Sequence, residues 1–274
     1  MITPTCIIYH ANCPDGFTAA WAAWKRYGDI PVYLSANYGD DLPGQEQLGH
    51  DLDQADHILI LDFSWPRARL EDLARRVGSV RVLDHHATAQ EALRDLPWAT
   101  FDMNRSGAGI TWDDLHESPR PRLIDYIEDR DLWRFKLTGS REVSQWVRSW
   151  PFNFETWDRL QLRLWQDLDG VIDEGKSLLR FQDQQVAYMA DRFRWAEIGG
   201  HRVPVANATC FFSEVGEELC HRHPEAPFAA YYMDRGDGKR QWGARSLGFD
   251  CSVVAKALGG GGHPTAAGWV EDIP

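Results

Sequence analysis

The chain has 274 residues, enough for one large domain or two modest ones with a real core. With 43% hydrophobic and 12% aromatic residues it is globular rather than disordered. Its formal net charge of −12 argues against a grip on long duplex nucleic acid, which calls for a basic face, and leaves room for a small phosphorylated ligand in a locally positive or metal-holding pocket.

In chain order, residues 6–9 (CIIY) read as a buried strand, followed by a helix over 16–27. Residues 30–34 suit a second strand. The runs 58–61 (ILIL) and 80–83 (VRVL) are the clearest buried strands, with a helix over 66–77 between them and Pro66 at a plausible first turn. Strand, helix, strand at this spacing implies βαβ units and a mostly parallel sheet. From 107 to 194 the pattern is helical, with segments at 107–115, 120–129, 141–150, 154–168 and a long one over 170–193. After Gly199-Gly200 come strand-like runs at 203–206, 228–233 and 241–247, a helix near 213–221, and a last helix over 251–258 ending in glycines. The fold class expected is α/β: a parallel-sheet domain over 1–190 and a smaller α/β domain over 198–274, joined by the long helix.

The five cysteines, Cys6, Cys13, Cys210, Cys220 and Cys251, are odd in number and form no C-x-x-C pair, so neither a disulfide framework nor a zinc ribbon is expected. No apolar stretch approaches the roughly 18 residues that would span a membrane. The first residues lack a basic segment ahead of a long apolar run, so no signal peptide is expected and the cytoplasm is the natural compartment. Most of the thirteen tryptophans are expected to be core fillers.

Three of the strands run into acids or histidines. The first leads into His10-Ala11-Asn12-Cys13-Pro14-Asp15-Gly16, the second apolar run into Asp62-Phe63-Ser64, and the third into Asp84-His85-His86. In open parallel sheets ligands bind beyond the carboxyl ends of the strands, so these residues can converge. Carboxylate and imidazole together suit Mn, Mg, Fe or Zn. Each piece alone is weak, since a strand-end Asp is as readily a helix cap. Three such ends at one edge are much harder to obtain by chance.

Asp84-His85-His86 after a buried strand, Asp62 one βαβ unit earlier, and His10 and Asp15 at the first strand together resemble the DHH phosphoesterase family. That family includes RecJ-type exonucleases, nanoRNA and pAp phosphatases, cyclic-dinucleotide phosphodiesterases and family II pyrophosphatases. Its fourth motif, an Asp after a helix, is matched by Tyr126 to Trp133, with Asp129 the first choice and Asp131 the second. Arg245-Ser246 followed by Gly259-Gly260-Gly261-Gly262-His263 resembles the GGGH signature of the DHH-associated substrate-binding domain. In that reading Arg245, Ser246, Gly260, Gly261, Gly262 and His263 bind substrate, with glycine backbone amides close to a phosphate.

The resemblance implies a division of roles. Asp62 would bridge two metals, His85 and Asp129 would complete one ion's shell, and His10 and Asp15 would serve the other. Asp84 would orient its neighbours, and His86 would act on the scissile phosphate or the leaving group. The first motif departs from the pattern, because many relatives place two Asp residues one apart and here one carboxylate is missing. Cys13 is a candidate ligand in its place, and the alternative is a small buried thiol. Arg105-Ser106-Gly107 is open between a phosphate site and a plain cap, and Trp133 between a base platform and a core residue.

The function implied is metal-dependent hydrolysis, by metal-activated water, of a phosphoester in a nucleotide or short oligonucleotide. The divalent metal expected is Mn, as one ion or two, with Mg, Co, Fe or Zn as alternatives. Release of phosphate from pyrophosphate or polyphosphate, and non-catalytic nucleotide sensing, are the competing readings. No membrane partner is expected, and a homo-oligomer is left open. A helix-rich stretch over 135–170, with Trp146, Trp150, Trp157 and Trp165, is a candidate for shaping substrate choice.

Overall fold

The computed structural model describes residues 2–38 and 40–273. The chain divides into two compact units, Met1–Leu178 and Leu179–Pro274.

Unit 1 begins with β1 (Cys6–His10), α1 (Pro14–Tyr27), β2 (Val32–Ala36), a single helical turn α2 (Gln45–Leu48), β3 (His57–Leu61), α3 (Arg67–Arg76), β4 (Ser79–Asp84), α4 (Ala87–Leu93) and β5 (Ala99–Phe101). The five strands form one parallel sheet in the order β2-β1-β3-β4-β5. Helices α5 (Gly107–Leu115), α6 (Arg122–Asp131), α7 (Ser140–Arg148) and α8 (Phe154–Gln166) follow. The 23-residue α9 (Leu168–Ala190) then runs across the division between the units.

Alternate strand residues serve opposite faces, as the two-residue period of a strand requires. Ile7, Leu59, Leu61 and Leu83 pack with α1, α5, α6, α7 and α8, whereas Ile8, Ile58, Ile60, Val80 and Val82 pack with α3 and α4. Both faces are therefore covered, and this is why these strands read as unbroken apolar runs. Trp21, Trp112, Trp146 and Trp157 lie in the first of these cores, as expected of most tryptophans here; Trp150 and Trp165 are exposed. Within the core the indole N–H of Trp157 donates to Thr18 Oγ1 at 2.9 Å, and that of Trp146 to Glu174 at 2.8 Å.

Unit 2 is a six-stranded mixed sheet in the order β10-β11-β9-β8-β7-β6. Its strands are β6 (Arg194–Ile198), β7 (His201–Asn207), β8 (Ala229–Asp234), β9 (Lys239–Arg245), β10 (Gly261–His263) and β11 (Ala266–Asp272). Helix α10 (Phe212–Arg222) packs on one face over Ala206 and Ala229, and α11 (Cys251–Ala257) on the other over Val203, Val205, Ala230 and Ala244.

The chain is thus α/β in both units. Six elements were not expected from the sequence, namely α2, α4, β5, β6, β10 and β11. The final glycine run is not a free loop: Gly261–His263 is the edge strand β10, and Gly260 N–H donates to Ala255 O at 2.8 Å. Gly262 has φ +136, and a Cβ there would stand 2.6 Å from Ala266 O, so only glycine fits the pairing with β11. Among the described residues no helix is long and apolar enough to cross a membrane.

Candidate metal centre

The strand order 2-1-3-4-5 changes direction between β1 and β3: the chain goes from β1 outward to β2, then returns to the far side of β1. The crevice beyond the strand ends at such a reversal is where open α/β sheets bind ligands. His10 closes β1, Asp62 follows β3, and Asp84 closes β4, so the sheet's own register brings the first three motifs to that crevice.

Asp62 is the hub. Its side chain is 2% exposed, with Oδ1 3.1 Å from His85 Nε2 and Oδ2 3.6 Å from His10 Nδ1. Asp62 holds φ +55, a left-handed conformation that Asp tolerates better than most residues. Gly107 lies against it: a Cβ on Gly107 would stand 2.5 Å from Asp62 Cβ and 2.9 Å from Oδ1. His85 is 3% exposed and also approaches Asp131 Oδ2 at 3.5 Å and Asp15 Oδ2 at 3.7 Å. The ring of His10 stacks on the buried Phe63 with centroids 6.1 Å apart, which fixes its plane.

Asp84 is fully buried. Its Oδ1 accepts the backbone N–H of His85 at 2.7 Å and that of His86 at 3.3 Å, and lies 2.7 Å from His86 Nδ1. It therefore fixes the turn that aims both imidazoles and holds the His86 ring by one nitrogen.

Asp15 has a second task. Its carboxylate accepts the N–H of Gly107 at 2.6 Å and of Ala108 at 3.0 Å, the first amides of α5. Ser106 N–H donates to Glu128 at 3.0 Å, and Ser106 Oγ caps Gly109 N–H at 3.2 Å. The open phosphate reading of Arg105-Ser106-Gly107 is settled by these bonds in favour of a cap. The orphan amides of the helix start are all taken, and Arg105 is paired with Asp102 and Asp113 at 2.7 and 2.9 Å. Glu128, 9% exposed and paired with Arg120 at 3.0 Å, was not singled out in the sequence and carries no motif that would reveal it.

Of the two acids in the fourth motif, Asp131 and not Asp129 reaches the cluster. The Asp129 carboxylate accepts the N–H of Lys136 at 3.0 Å and of Leu137 at 3.1 Å, so it closes the loop after α6. Two residues along a helix point about 200° apart, so only one of the pair can face the sheet edge. Trp133 carries Arg130 over its ring at 4.9 Å, in the same turn.

Unit 2 holds the remaining predicted residues. Arg245 ends β9 at 9% exposure, and Ser246 is 6% exposed with its hydroxyl donating to Phe249 O. Gly261, Gly262 and His263 form β10, and Gly260 precedes it.

The residues at the crevice suit a divalent cation. His10, Cys13 and Asp62 have one potential ligand atom each within 4.8 Å of one another, as do Asp15, Asp62 and His85, and Asp62, Asp84 and His86. His10 Nδ1 is buried without a hydrogen bond, and Asp62 Oδ1, which makes no well-directed hydrogen bond, has only its 3.1 Å ion pair with His85, so both keep capacity for a ligand. Three carboxylates face one imidazole. Burial alone would lower the pKa of His85, but contact with Asp62 and the charges of Asp131 and Asp15 raise it to about 11. Burial would likewise raise Asp62, but contacts from His10 and His85 hold it well below the usual carboxylate range. This excess of negative charge around N and O donors is what a cation would balance.

No family model matches the chain. It is 28% identical over 280 residues to uncharacterized protein R106 of Acanthamoeba polyphaga mimivirus, across 96% of this chain and 66% of that protein's length. Among solved structures it is similar to RecJ of Thermus thermophilus in complex with Mn2+, at 15% identity and TM-score 0.51, over 97% of this chain and 49% of RecJ. An uncharacterized protein from Helicobacter pylori G27 matches with TM-score 0.50 and 14% identity, over 97% of this chain and 92% of that one. The α/β fold is therefore the one RecJ has.

Proposed function

We propose that the chain is a metal-dependent phosphoesterase acting on a nucleotide or short oligonucleotide. The observation that carries this is the convergence of His10, Asp62, His85 and Asp131 at the β1/β3 crevice, with His10 Nδ1 buried and not hydrogen-bonded. His10, Asp62, His85 and Asp131 would hold the cation, with Asp15 at its edge. The RecJ structure with Mn2+ supports manganese as the first ion to try. A divalent cation there supplies Lewis-acid polarisation of a phosphoryl oxygen and activates water.

The rest is the work of side chains. Asp84 holds the His86 ring by Nδ1, and His86 is proposed to exchange a proton with the leaving oxygen. In unit 2, Arg245, Ser246, Gly260 to Gly262 and His263 are proposed to bind the substrate. The net charge of −12 supports a small substrate over long nucleic acid.

The test is to supply metal-stripped protein with Mn, Mg, Co or Zn and a panel of substrates. The panel holds a two-nucleotide RNA, pAp, cyclic mono- and dinucleotides and pyrophosphate, with products followed by chromatography. Turnover of a nucleotidic substrate, lost in Asp62→Ala, is the expected result. Turnover of pyrophosphate alone would replace the substrate class, and nucleotide binding without turnover under every metal would replace the enzyme with a sensor.

A further inference from the structure

We propose that Cys13 is a metal ligand of this centre, its thiolate standing beside His10 and Asp62 in place of the carboxylate missing from the first motif. The inference rests on the reading of the crevice as a cation site and adds a ligand of a different kind.

Three observations carry it. Cys13 Sγ, a ring nitrogen of His10 and a carboxylate oxygen of Asp62 lie mutually within 4.8 Å. Both neighbours bring atoms with capacity for a ligand, His10 Nδ1 and Asp62 Oδ1, and the Asp62 side chain is only 2% exposed. The thiol of Cys13, the N-cap of α1, also makes no capping hydrogen bond to its helix, whereas Ser106, Asn153 and Asp250 all cap their helices with side-chain oxygens.

The local chain explains the placement. Asn12, at φ +55, turns the backbone sharply after β1, and Pro14 starts α1 at once. Gly16 allows the first turn of α1 to sit on His10, where a Cβ would be 2.5 Å from His10 O. Residue 13 is thereby held at the mouth of the crevice. The other described cysteines have different surroundings. Cys220 and Cys251 donate to backbone carbonyls, Cys6 starts β1 and is buried in the core with α3 and α4, and Cys210 is exposed.

A thiolate carries the same charge as the carboxylate it replaces, so the charge balance of the site is kept while its softness changes. As the sulfur–metal bond forms, the S–H bond breaks and its proton passes to solvent. Thiolate shifts preference away from Mg and Mn toward Zn, Fe and Co.

The experiment is a Co2+ titration of the metal-stripped full chain, read by absorption. The expected spectrum has visible ligand-field bands together with a sulfur-to-cobalt charge-transfer band in the near ultraviolet. Cys13→Ser should lose the charge-transfer band, keep the ligand-field bands, and bind Co2+ about 10- to 100-fold more weakly. Cys13→Asp should also lose the band and gain Mn2+ affinity relative to Zn2+. Ligand-field bands without a charge-transfer band in the wild type, or the same band surviving in Cys13→Ser, would overturn the thiolate ligand and leave the cation site standing. Absence of any cobalt spectrum and of Mn2+ binding would remove the cation site, and Cys13 with it.

Discussion

Asp129 and Asp131 stand two residues apart and do different work, and substitution separates them. Asp131 faces His85, whereas Asp129 satisfies two backbone amides. Asp129→Ala leaves those N–H groups without acceptors and should cost about 1–3 kcal/mol of stability, measured by urea denaturation, with metal affinity nearly unchanged. Asp131→Ala should do the reverse, weakening Mn2+ by about 10- to 100-fold in calorimetry at little cost in stability. Equal effects of the two substitutions on metal binding would contradict this assignment. Asp62, Asp84, His85 and His86 were legible in the sequence because strand ends in a parallel sheet share one edge. The choice between Asp129 and Asp131 was not, because it depends on the rotational phase of α6, and that is set by packing against α1, α7 and α8. Glu128 was invisible for the same reason: its partner Ser106 is 22 residues away.

Short elements were the least legible. β5 and β10 have three residues each, too few for a period to show, and they exist because a neighbouring strand offers its edge. The central strands, buried on both faces, were plain. Where β3 begins, Asp56 ties three segments together. It accepts from Thr5 Oγ1 at 3.0 Å and from Asp53 N–H at 3.0 Å, and contacts His50 Nε2 at 3.1 Å. Burial would raise the pKa of Asp56, but these hydrogen bonds outweigh it and leave the carboxyl below its usual value. A lowered folded pKa means that the stabilisation is fully present above the unfolded value of about 3.9 and disappears as pH falls below it, through the folded pKa. The acid limb of a stability-against-pH curve should therefore be shallower in Asp56→Asn than in the wild type. An unchanged acid limb would count against the tie.

At the scale of the molecule, the fold places its candidate chemistry in unit 1, at the reversal of the parallel sheet, while unit 2 supplies the glycine-bearing edge strand. Metal binding that belongs to the folded state must stabilise it. At a free Mn2+ concentration of about 100 times its dissociation constant, unfolding of unit 1 should cost about 2.7 kcal/mol more than in chelator. That increment should vanish in Asp62→Asn, a substitution that keeps a residue tolerant of the left-handed backbone at position 62. If Mn2+ stabilised the variant and the wild type alike, the ion would be binding elsewhere.

Phosphoester hydrolysis at this crevice is put to the test by turnover of a two-nucleotide RNA by metal-stripped protein resupplied with Mn2+. The wild type should release mononucleotides only with the ion present, and Asp62→Ala should release none. Equal product from wild type and Asp62→Ala, or no product with any divalent metal while the RNA binds measurably, would contradict the account.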